Sequence, residues 1–337
     1  MAHQAPRFWQ KRGFFALGLL PLAALYGALA GLRRRLYAWG LLQVVRLPVP
    51  VIVVGNIGVG GSGKTPTTLW LVEALRARGR HPGIISRGYG GQIREGVAAV
   101  PPDGDPVRFG DEPVLMASRA RCPVFVGRDR PAAGAALLAA HPEVDVLIAD
   151  DGLQHYRLAR QVELVVVDEA TLGNLWRLPA GPLREAPSRL AEADLILAQG
   201  ALSDGLRAAA GPVPVFPFRL EGGDFERLGD RTERCSPARM AGRRLHALAG
   251  IGRPERFFSQ LESLGLSIER RPFPDHHAFT PDDLVLPEGD VLLMTEKDGV
   301  KCAPFAPREC WVWAVRGQVA PGAVDLILEK LDGPPTA

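Results

Sequence analysis

A glycine-rich segment that ends in lysine and threonine carries the strongest chemical signal in this sequence. Gly58, four further residues and then Gly63-Lys64-Thr65 fit the Walker A pattern, and an apolar stretch at 51–54 precedes them. In such loops backbone N–H groups bind phosphates, the lysine reaches the β and γ oxygens, and the hydroxyl holds Mg²⁺. The pattern therefore predicts that a nucleoside triphosphate binds to Gly58, Val59, Gly60, Gly61, Ser62, Gly63, Lys64 and Thr65.

The same glycines also permit a different phosphate site. Gly58, Gly60 and Gly63 satisfy the G-x-G-x-x-G pattern of dinucleotide-binding folds, which need an acidic residue about 20 positions later for a ribose hydroxyl. In this chain the second predicted strand ends at Arg87, and Lys64 would have no purpose. A glycine turn that binds nothing is a further alternative. Lysine and threonine at their required offsets favour the triphosphate site.

A second apolar strand leads directly into two carboxylates. Residues 146–149 are apolar and precede Asp150 and Asp151, as in a Walker B element. Mg²⁺ is usually bound by one or two carboxylates together with substrate phosphate. A pair of solvated loop acids is the ordinary explanation, but it loses weight beside a Walker A loop. We therefore expect a Mg²⁺ site formed by Thr65 and one of the two aspartates.

Other polar residues at predicted element ends have ordinary explanations. Asp111 opens a predicted helix, where an N-cap is the more frequent role, and His276 belongs to a His-His pair in a proline-bounded loop. The turn at 179–185 ends in Arg184 and Glu185, which a surface ion pair would explain. Residues 295–298 loosely resemble a guanine-specificity element, but the lysine stands one place late, so GTP is not predicted.

These motifs fall on alternating strands and helices, which predicts an α/β fold with a mostly parallel sheet covered on both faces. We expect a P-loop NTPase-like domain at 36–218, with its ligands at the carboxyl ends of the strands. A polar segment without apolar periodicity indicates a linker or hairpin at 219–239, and a second, smaller α/β domain follows at 240–337. A short amphipathic helix is expected at 37–47.

Length and charge limit the classes of protein that the sequence can encode. A chain of 337 residues, 47% hydrophobic and 23% charged, is long enough for two folded domains. The chain nets +3, yet seven basic and no acidic residues precede Lys64, so the remainder nets −4. This distribution argues against a nucleic-acid groove. Cysteines without metal-binding spacing indicate reduced thiols of a cytoplasmic protein: Cys122, Cys235, Cys302 and Cys310.

The N-terminal segment contains 19 uncharged positions, 14–32, between Lys11-Arg12 and Arg33-Arg34-Arg35. Such a stretch could reach across most of a bilayer. A secretory signal is excluded because three arginines follow at once and a triphosphate site would be exported. A buried core helix would leave nearly every face apolar. We therefore expect a membrane anchor helix at 1–35, spanning or half-inserted, with the body of the protein in the cytoplasm.

Several motifs follow the N-terminal apolar helix in a fixed order: Gly55-Asn56, Gly60-Gly61-Ser62-Gly63-Lys64-Thr65-Pro66, Ser86-Arg87-Gly88-Tyr89, Gly110-Asp111-Glu112-Pro113, Asp150-Asp151-Gly152-Leu153-Gln154-His155, 179–185, Asp275-His276 and 295–298. Over almost the whole chain they resemble the tetraacyldisaccharide 4′-kinase family of lipid A synthesis, although Leu153 stands where that family more often has phenylalanine. The resemblance implies ATP-dependent phosphorylation of the 4′-hydroxyl of an acylated glucosamine disaccharide 1-phosphate at the inner membrane, a step of lipopolysaccharide biosynthesis.

The resemblance also implies roles for single residues. Asp111 would take the proton of the acceptor hydroxyl, with His276 orienting it, and Lys64 would stabilise the transferred group. Arg184 would contact the nucleotide and Glu185 would join the metal site. Two α/β domains would enclose the site in a cleft, and no protein partner is required. The alternative is a membrane-recruited P-loop NTPase switch that acts on a protein partner. A switch does not need a base aimed at an acceptor alcohol.

Overall fold

The computed structural model describes residues 6–333 as a mixed α/β fold. Its strands are β1 (Val51–Gly55), β2 (Pro82–Ser86), β3 (Val97–Ala99), β4 (Val124–Gly127), β5 (Val146–Asp150), β6 (Val162–Asp168), β7 (Leu195–Gln199), β8 (Val215–Arg227), β9 (Asp230–Cys235), β10 (Leu245–Ala249), β11 (Ile268–Pro272), β12 (Val291–Thr295) and β13 (Cys310–Val319). Its helices are α1 (Phe14–Gly18), α2 (Leu20–Ala38), α3 (Lys64–Ala77), α4 (Pro106–Phe109), α5 (Asp111–Ala120), α6 (Arg130–Ala140), α7 (Asp204–Ala210), α8 (Pro237–Met240), α9 (Pro254–Ser263), α10 (Glu296–Cys302) and α11 (Ala323–Asp332). Short 3₁₀ turns lie at Arg7–Gln10, Glu169–Thr171, Pro187–Glu192, Pro281–Leu284 and Ala303–Phe305.

The strands form one large sheet in the order β11-β10-β12-β13-β8-β7-β6-β1-β5-β2-β4-β3, with β9 paired to β8. Nine of its twelve strand pairings are parallel, so the sheet is mostly parallel, as the alternation of elements predicts. Strand β8 pairs with β7 near its start and with β13 over the rest of its length. The division expected at residue 218 lies inside this strand, and β8 and β9 form an antiparallel hairpin.

Alternation along β1 explains why helices cover both faces of the sheet around it. Ile52 and Val54 pack into one core with Leu71 and Leu75 of α3. The intervening residues, Val51 and Val53, pack into the opposite core with Ala133 and Leu137 of α6. A parallel strand that is buried on both faces is expected to be apolar throughout. The end of β1 is thereby fixed between β5 and β6.

The N-terminal apolar stretch forms two helices rather than the single membrane helix that the sequence predicts. Helix α1 ends at Gly18, and α2 begins at Leu20 with Pro21 in its first turn, where a missing N–H costs no hydrogen bond. Helix α2 then continues through the arginines at 33–35 to Ala38. Among residues 6–333, none of the helices is both long and apolar enough to cross a membrane.

The prediction of an amphipathic helix at 37–47 is wrong. Helix α2 ends at Ala38, and Gly40 has a φ of +72°, a left-handed conformation that commonly ends helices. The chain then runs in irregular turns to Val45, which forms an isolated bridge with Leu158. Backbone pairing to the loop after β5 competes here with helix formation.

Candidate active site

The glycine-rich loop connects β1 to α3, as the Walker A pattern predicts. Gly60 and Gly63 have φ values of +117° and +87°, which residues other than glycine rarely adopt. The Nδ2 of Asn56 donates to the Oγ of Ser62 at 3.0 Å, and the Nε2 of Gln199 donates to the Ser62 carbonyl at 2.8 Å. The loop is thus held from both sides, and the N-terminus of α3 supplies N–H groups for an anion.

Lys64 and Arg184 both contact Asp151. The Nζ of Lys64 lies 3.5 Å from Oδ1 of Asp151, and Nη1 of Arg184 lies 3.0 and 3.1 Å from the two carboxylate oxygens. Burial alone would raise the pKa of Asp151, but the positive charges of Lys64 and Arg184 hold it below its ordinary value. A surface ion pair at this turn would join Arg184 to its neighbour Glu185. Arg184 instead pairs with Asp151.

Asp150 is buried directly beside the loop, because it pairs in register with Val54 of β1. The Oγ1 of Thr68 donates to its Oδ1 at 3.1 Å, and the Oγ of Ser86 lies 3.5 Å from its Oδ2. Burial, and then the negative charges of Glu112 and Asp151, raise the pKa of Asp150 to about 7. Three carboxylates thus converge on one region and repel one another.

The carboxylates at the end of β5 fit a bound divalent cation. Asp150 and Asp151 supply hard oxygen ligands, and Thr65 lies in the first turn of α3. Between residues 6 and 333 there is no group of three or more His, Cys, Asp or Glu side chains that could hold a metal by itself. Mg²⁺ does not need such a cage, because it usually retains waters and completes its shell with substrate phosphate.

Glu185 lies close to the loop but its carboxylate is already engaged. The backbone N–H groups of Arg184 and Glu185 donate to the Ile57 carbonyl at 2.8 and 3.2 Å, which places this turn against the end of β1. Gln154 and Tyr156 each donate to a different carboxylate oxygen of Glu185 at 2.8 Å. Each carboxylate oxygen keeps a further lone pair, so these bonds orient Glu185 and leave a metal contact open.

Asp111, at the start of α5, contacts His276, in the loop that follows β11. Asp111 is 5% exposed and is the first residue of α5, while Gly110 occupies the cap position with a φ of +94°. Its Oδ1 accepts the N–H of the next residue, Glu112, at 2.9 Å, and its Oδ2 lies 2.9 Å from Nδ1 of His276. The second contact is not explained by capping.

The two side chains perturb each other's protonation. Burial opposes ionisation of Asp111, but the hydrogen bond from His276 and the charge of Lys297 lower the pKa of Asp111 below its ordinary value. The same hydrogen bond raises the pKa of His276, against burial and Lys297. Each group therefore stabilises the charged form of the other. An ionised Asp111 can accept a proton at neutral pH.

Lys297 is a member of this cluster that sequence reasoning missed. Its Nζ lies 3.1 Å from Glu112, 3.5 Å from Nε2 of His276 and 3.9 Å from Oδ2 of Asp111. Burial would lower the pKa of Lys297, but the carboxylates of Glu112, Asp111 and Asp275 raise it. The available signal was the motif at 295–298, which begins at the last residue of β12 and to which the sequence analysis assigns no role.

Glu112 links the Asp111–His276 pair, the dyad, to the carboxylates beside the glycine-rich loop. It binds Lys297, and its charge also acts on Asp150, so the two clusters of charged residues adjoin.

On the other side of the glycine-rich loop, Nη1 of Arg256 donates to Oε1 of Gln199 at 2.6 Å. A cavity of about 450 Å³ opens there, lined by Asp168, Gln199, Gly200, Phe218, Arg219, Leu220, Glu221, Arg253 and Arg256.

Comparison with known proteins identifies this set of motifs with one family. The sequence profile of the family described as tetraacyldisaccharide-1-P 4′-kinase matches residues 15–332. The chain belongs to this family. It is 56% identical to the tetraacyldisaccharide 4′-kinase of Aromatoleum aromaticum over 338 residues, which cover 100% of each chain. It is 57% identical to that of Azoarcus sp. over 330 residues, covering 97% of this chain and 95% of the relative.

A solved structure of the same family has the same fold. LpxK from Aquifex aeolicus, crystallised in complex with ATP, superposes with a TM-score of 0.80 at 28% sequence identity. The match covers 94% of this chain and 100% of the other. The family resemblance that the motifs indicate is therefore confirmed by sequence and by fold.

Proposed function

We propose that this protein transfers the γ-phosphoryl group of ATP to the 4′-hydroxyl of an acylated glucosamine disaccharide 1-phosphate in lipid A synthesis. The observation that carries the proposal is the contact between Asp111 and His276 beside the phosphate loop. It provides a proton acceptor for an alcohol at a site that binds a triphosphate, which a nucleotide switch does not need. Membership of the family supports the same reaction.

In this mechanism the chain mainly positions and neutralises the reacting groups. The loop N–H groups and Lys64 bind the β- and γ-phosphates, and Arg184 holds Asp151 in place. Thr65 and one or both of Asp150 and Asp151 would hold Mg²⁺, which neutralises charge on the phosphates when bound. The 4′-oxygen forms a bond to the γ-phosphorus while the bond to the β–γ bridging oxygen breaks, and ADP leaves.

The proton of the 4′-hydroxyl passes to the carboxylate of Asp111. His276 donates from Nδ1 to Oδ2 of that carboxylate, so one oxygen is fixed and its lone pair is oriented. Lys297 offsets the surrounding negative charge and thereby keeps Asp111 ionised before the transfer. Glu185, which Gln154 and Tyr156 orient through its two carboxylate oxygens, would join Thr65 and the two aspartates in holding Mg²⁺.

The lipid acceptor is proposed to reach the site along α2. Leu22, Leu25, Leu29 and Leu32 are each 49–59% exposed and follow one another at helical spacing, which forms an apolar stripe. Tyr26 flanks this stripe on α2, and the charges of Arg184 and Glu185 act on its pKa, so the stripe borders the site. We propose that this stripe lies in the cytoplasmic leaflet of the inner membrane, so that the acceptor headgroup meets cytoplasmic ATP.

The division of the chain is part of the same proposal. The membrane segment spans 1–35, the P-loop domain 36–218, the hairpin 219–239 and the smaller α/β domain 240–337. Residues 1–5 and 334–337 of these ranges lie outside the described residues. In this arrangement Asp111 comes from the P-loop domain and His276 from the smaller domain.

A labelling experiment tests the proposed reaction. Purified protein is incubated with γ-labelled ATP and an acylated disaccharide 1-phosphate, beside a deacylated acceptor, a sample without acceptor and the variant Lys64→Ala. We expect labelled lipid from the wild type with the acylated acceptor, and none from the variant, whose circular dichroism should match the wild type. Label that appears only as free inorganic phosphate would overturn the proposal and favour the switch.

A further inference from the structure

The first turn of α10 contacts both ends of α5. Lys297 binds Glu112 and approaches Asp111 at the start of α5. Its neighbour Glu296 accepts a hydrogen bond from Nε of Arg119, which stands one residue before the end of α5. Two consecutive residues of one helical turn therefore hold the catalytic helix at two points about 12 Å apart, given a rise of about 1.5 Å per residue.

Arg119 and Glu296 belong to a buried ionic cluster that includes the hairpin. The Nη1 of Arg119 lies 3.2 and 3.0 Å from the two carboxylate oxygens of Glu226 in β8. The second oxygen of Glu296 accepts the Val315 N–H at 3.0 Å, at the point where the pairing of β13 with β8 shifts register. Both glutamates are buried, at 3% and 9% exposure.

Such a cluster resists displacement more strongly than a surface ion pair does. Burial would lower the pKa of Arg119, but Glu296 and Glu226 raise it, so the arginine stays charged. Separating a buried charge from its partner leaves an uncompensated ion, which is strongly unfavourable. The cluster thus favours one placement of α10 along α5.

We propose that Arg119 and Glu296 are positioning residues for phosphoryl transfer, which fix α10 on α5 so that Lys297 and His276 meet Asp111. Neither touches the reacting atoms; both act through the dyad, and the inference rests on the proposed function. Its physical basis is the sensitivity of catalysis to geometry, since a misplacement of about 1 Å can cost about 10²-fold in rate.

The variant Glu296→Gln tests this directly. Its amide oxygen can still accept the Val315 N–H, whereas the charge that holds Arg119 is lost. We expect kcat to fall about tenfold while the KM for ATP stays within about twofold, because the phosphate loop is untouched. In a His276→Ala background the same change should cost less than about twofold, because no dyad remains to be positioned.

Matched variants separate positioning from general damage. Glu262→Gln removes the charge of an exposed glutamate of α9 that binds Arg270 in β11, and it should leave kcat unchanged. Arg119→Lys keeps the positive charge and should retain more activity than Arg119→Met. If Glu296→Gln does not fold, these two Arg119 variants carry the test alone.

Two results would overturn the inference while leaving the proposed function intact. One is a wild type that transfers label to lipid together with a Glu296→Gln variant of normal kcat. The other is an equal loss from Glu296→Gln in the wild-type and His276→Ala backgrounds, which would indicate a purely structural role. A wild type that transfers no label to lipid would overturn both the proposed function and this inference.

Discussion

The side chains of the site differ in protonation because their immediate surroundings differ. Asp150 and Asp151 are adjacent in sequence, yet the pKa of Asp150 is raised to about 7 and that of Asp151 is lowered. Asp150 is buried beside other carboxylates, whereas Asp151 turns toward Lys64 and Arg184. Environments that move the pKa values of paired acids apart are typical of catalytic sites. When bound, the proposed Mg²⁺ would change the electrostatic surroundings of Asp150.

The raised pKa of His276 predicts a pH dependence of stability. A charged His276 stabilises the fold fully below its ordinary pKa of 6.5, and this contribution is lost as the pH rises through the raised pKa. The difference in Tm between wild type and His276→Ala should therefore be larger at pH 6 than at pH 9. Thermal unfolding followed by fluorescence at both pH values measures it.

An exposed histidine provides the control for this measurement. His81→Ala removes a side chain that is largely in solvent and lies 3.8 Å from Asp145, so its effect on Tm should be small at both pH values. A His276→Ala difference that is the same at pH 6 and pH 9 would contradict the charged pair.

Sequence reasoning predicted residues whose role depends on local spacing. The residues from Gly58 to Thr65 form the expected loop because strand, glycines and helix are consecutive. Lys297 could not be assigned in this way, because its partners come from two distant segments, 111–112 and 275–276. Spacing likewise gave no sign that Gln154 and Tyr156 engage the carboxylate of Glu185.

At the level of elements, buried strands and amphipathic helices were predictable and short or polar elements were not. Strand β1 contains the apolar stretch recognised at 51–54, because apolar composition marks it locally. Strand β8 extends to Arg227 through the polar segment predicted as a linker or hairpin, since pairing with β13 overrides the weak propensity of its glycines. Helix α10 was missed because it is short and contains Gly299.

The exposed stripe of α2 leads to a prediction about the lipid acceptor. Replacing Leu22, Leu25 and Leu29 with serine should raise the KM for the acylated acceptor at least about tenfold, since each buried leucine contributes about 1.5–3 kcal/mol. The KM for ATP should change less than about twofold, because none of the three contacts the phosphate loop. Steady-state kinetics with acceptor in phospholipid vesicles measures both constants.

The exposed Val285, 68% accessible and remote from α2 in sequence, offers a matched control. Val285→Ser should change neither constant. An unchanged lipid KM in the triple variant, together with undiminished sedimentation with vesicles, would show that the stripe has no part in acceptor capture.

For the whole molecule, the sheet brings together groups that are distant in sequence. Asp111 and His276 are 165 positions apart, and they meet because β8 joins both halves into one sheet and the loops after β10, β11 and β12 face the P-loop half. Alternating elements predicted a mostly parallel sheet, but the long-range order of strands cannot be read from local patterns. The pairing of the dyad was available only through the family resemblance.

The central claim is that the two halves share one proton-accepting unit, and a double-mutant cycle on Asp111 and His276 tests it most directly. Asp111→Ala and His276→Ala should each lower kcat by about 10² or more, with the Kd for ATP within about twofold. The double variant should lose much less than the product of the two effects, because residues that act as a unit are not additive. Fully multiplicative losses, or a near-normal kcat for Asp111→Ala, would contradict the account.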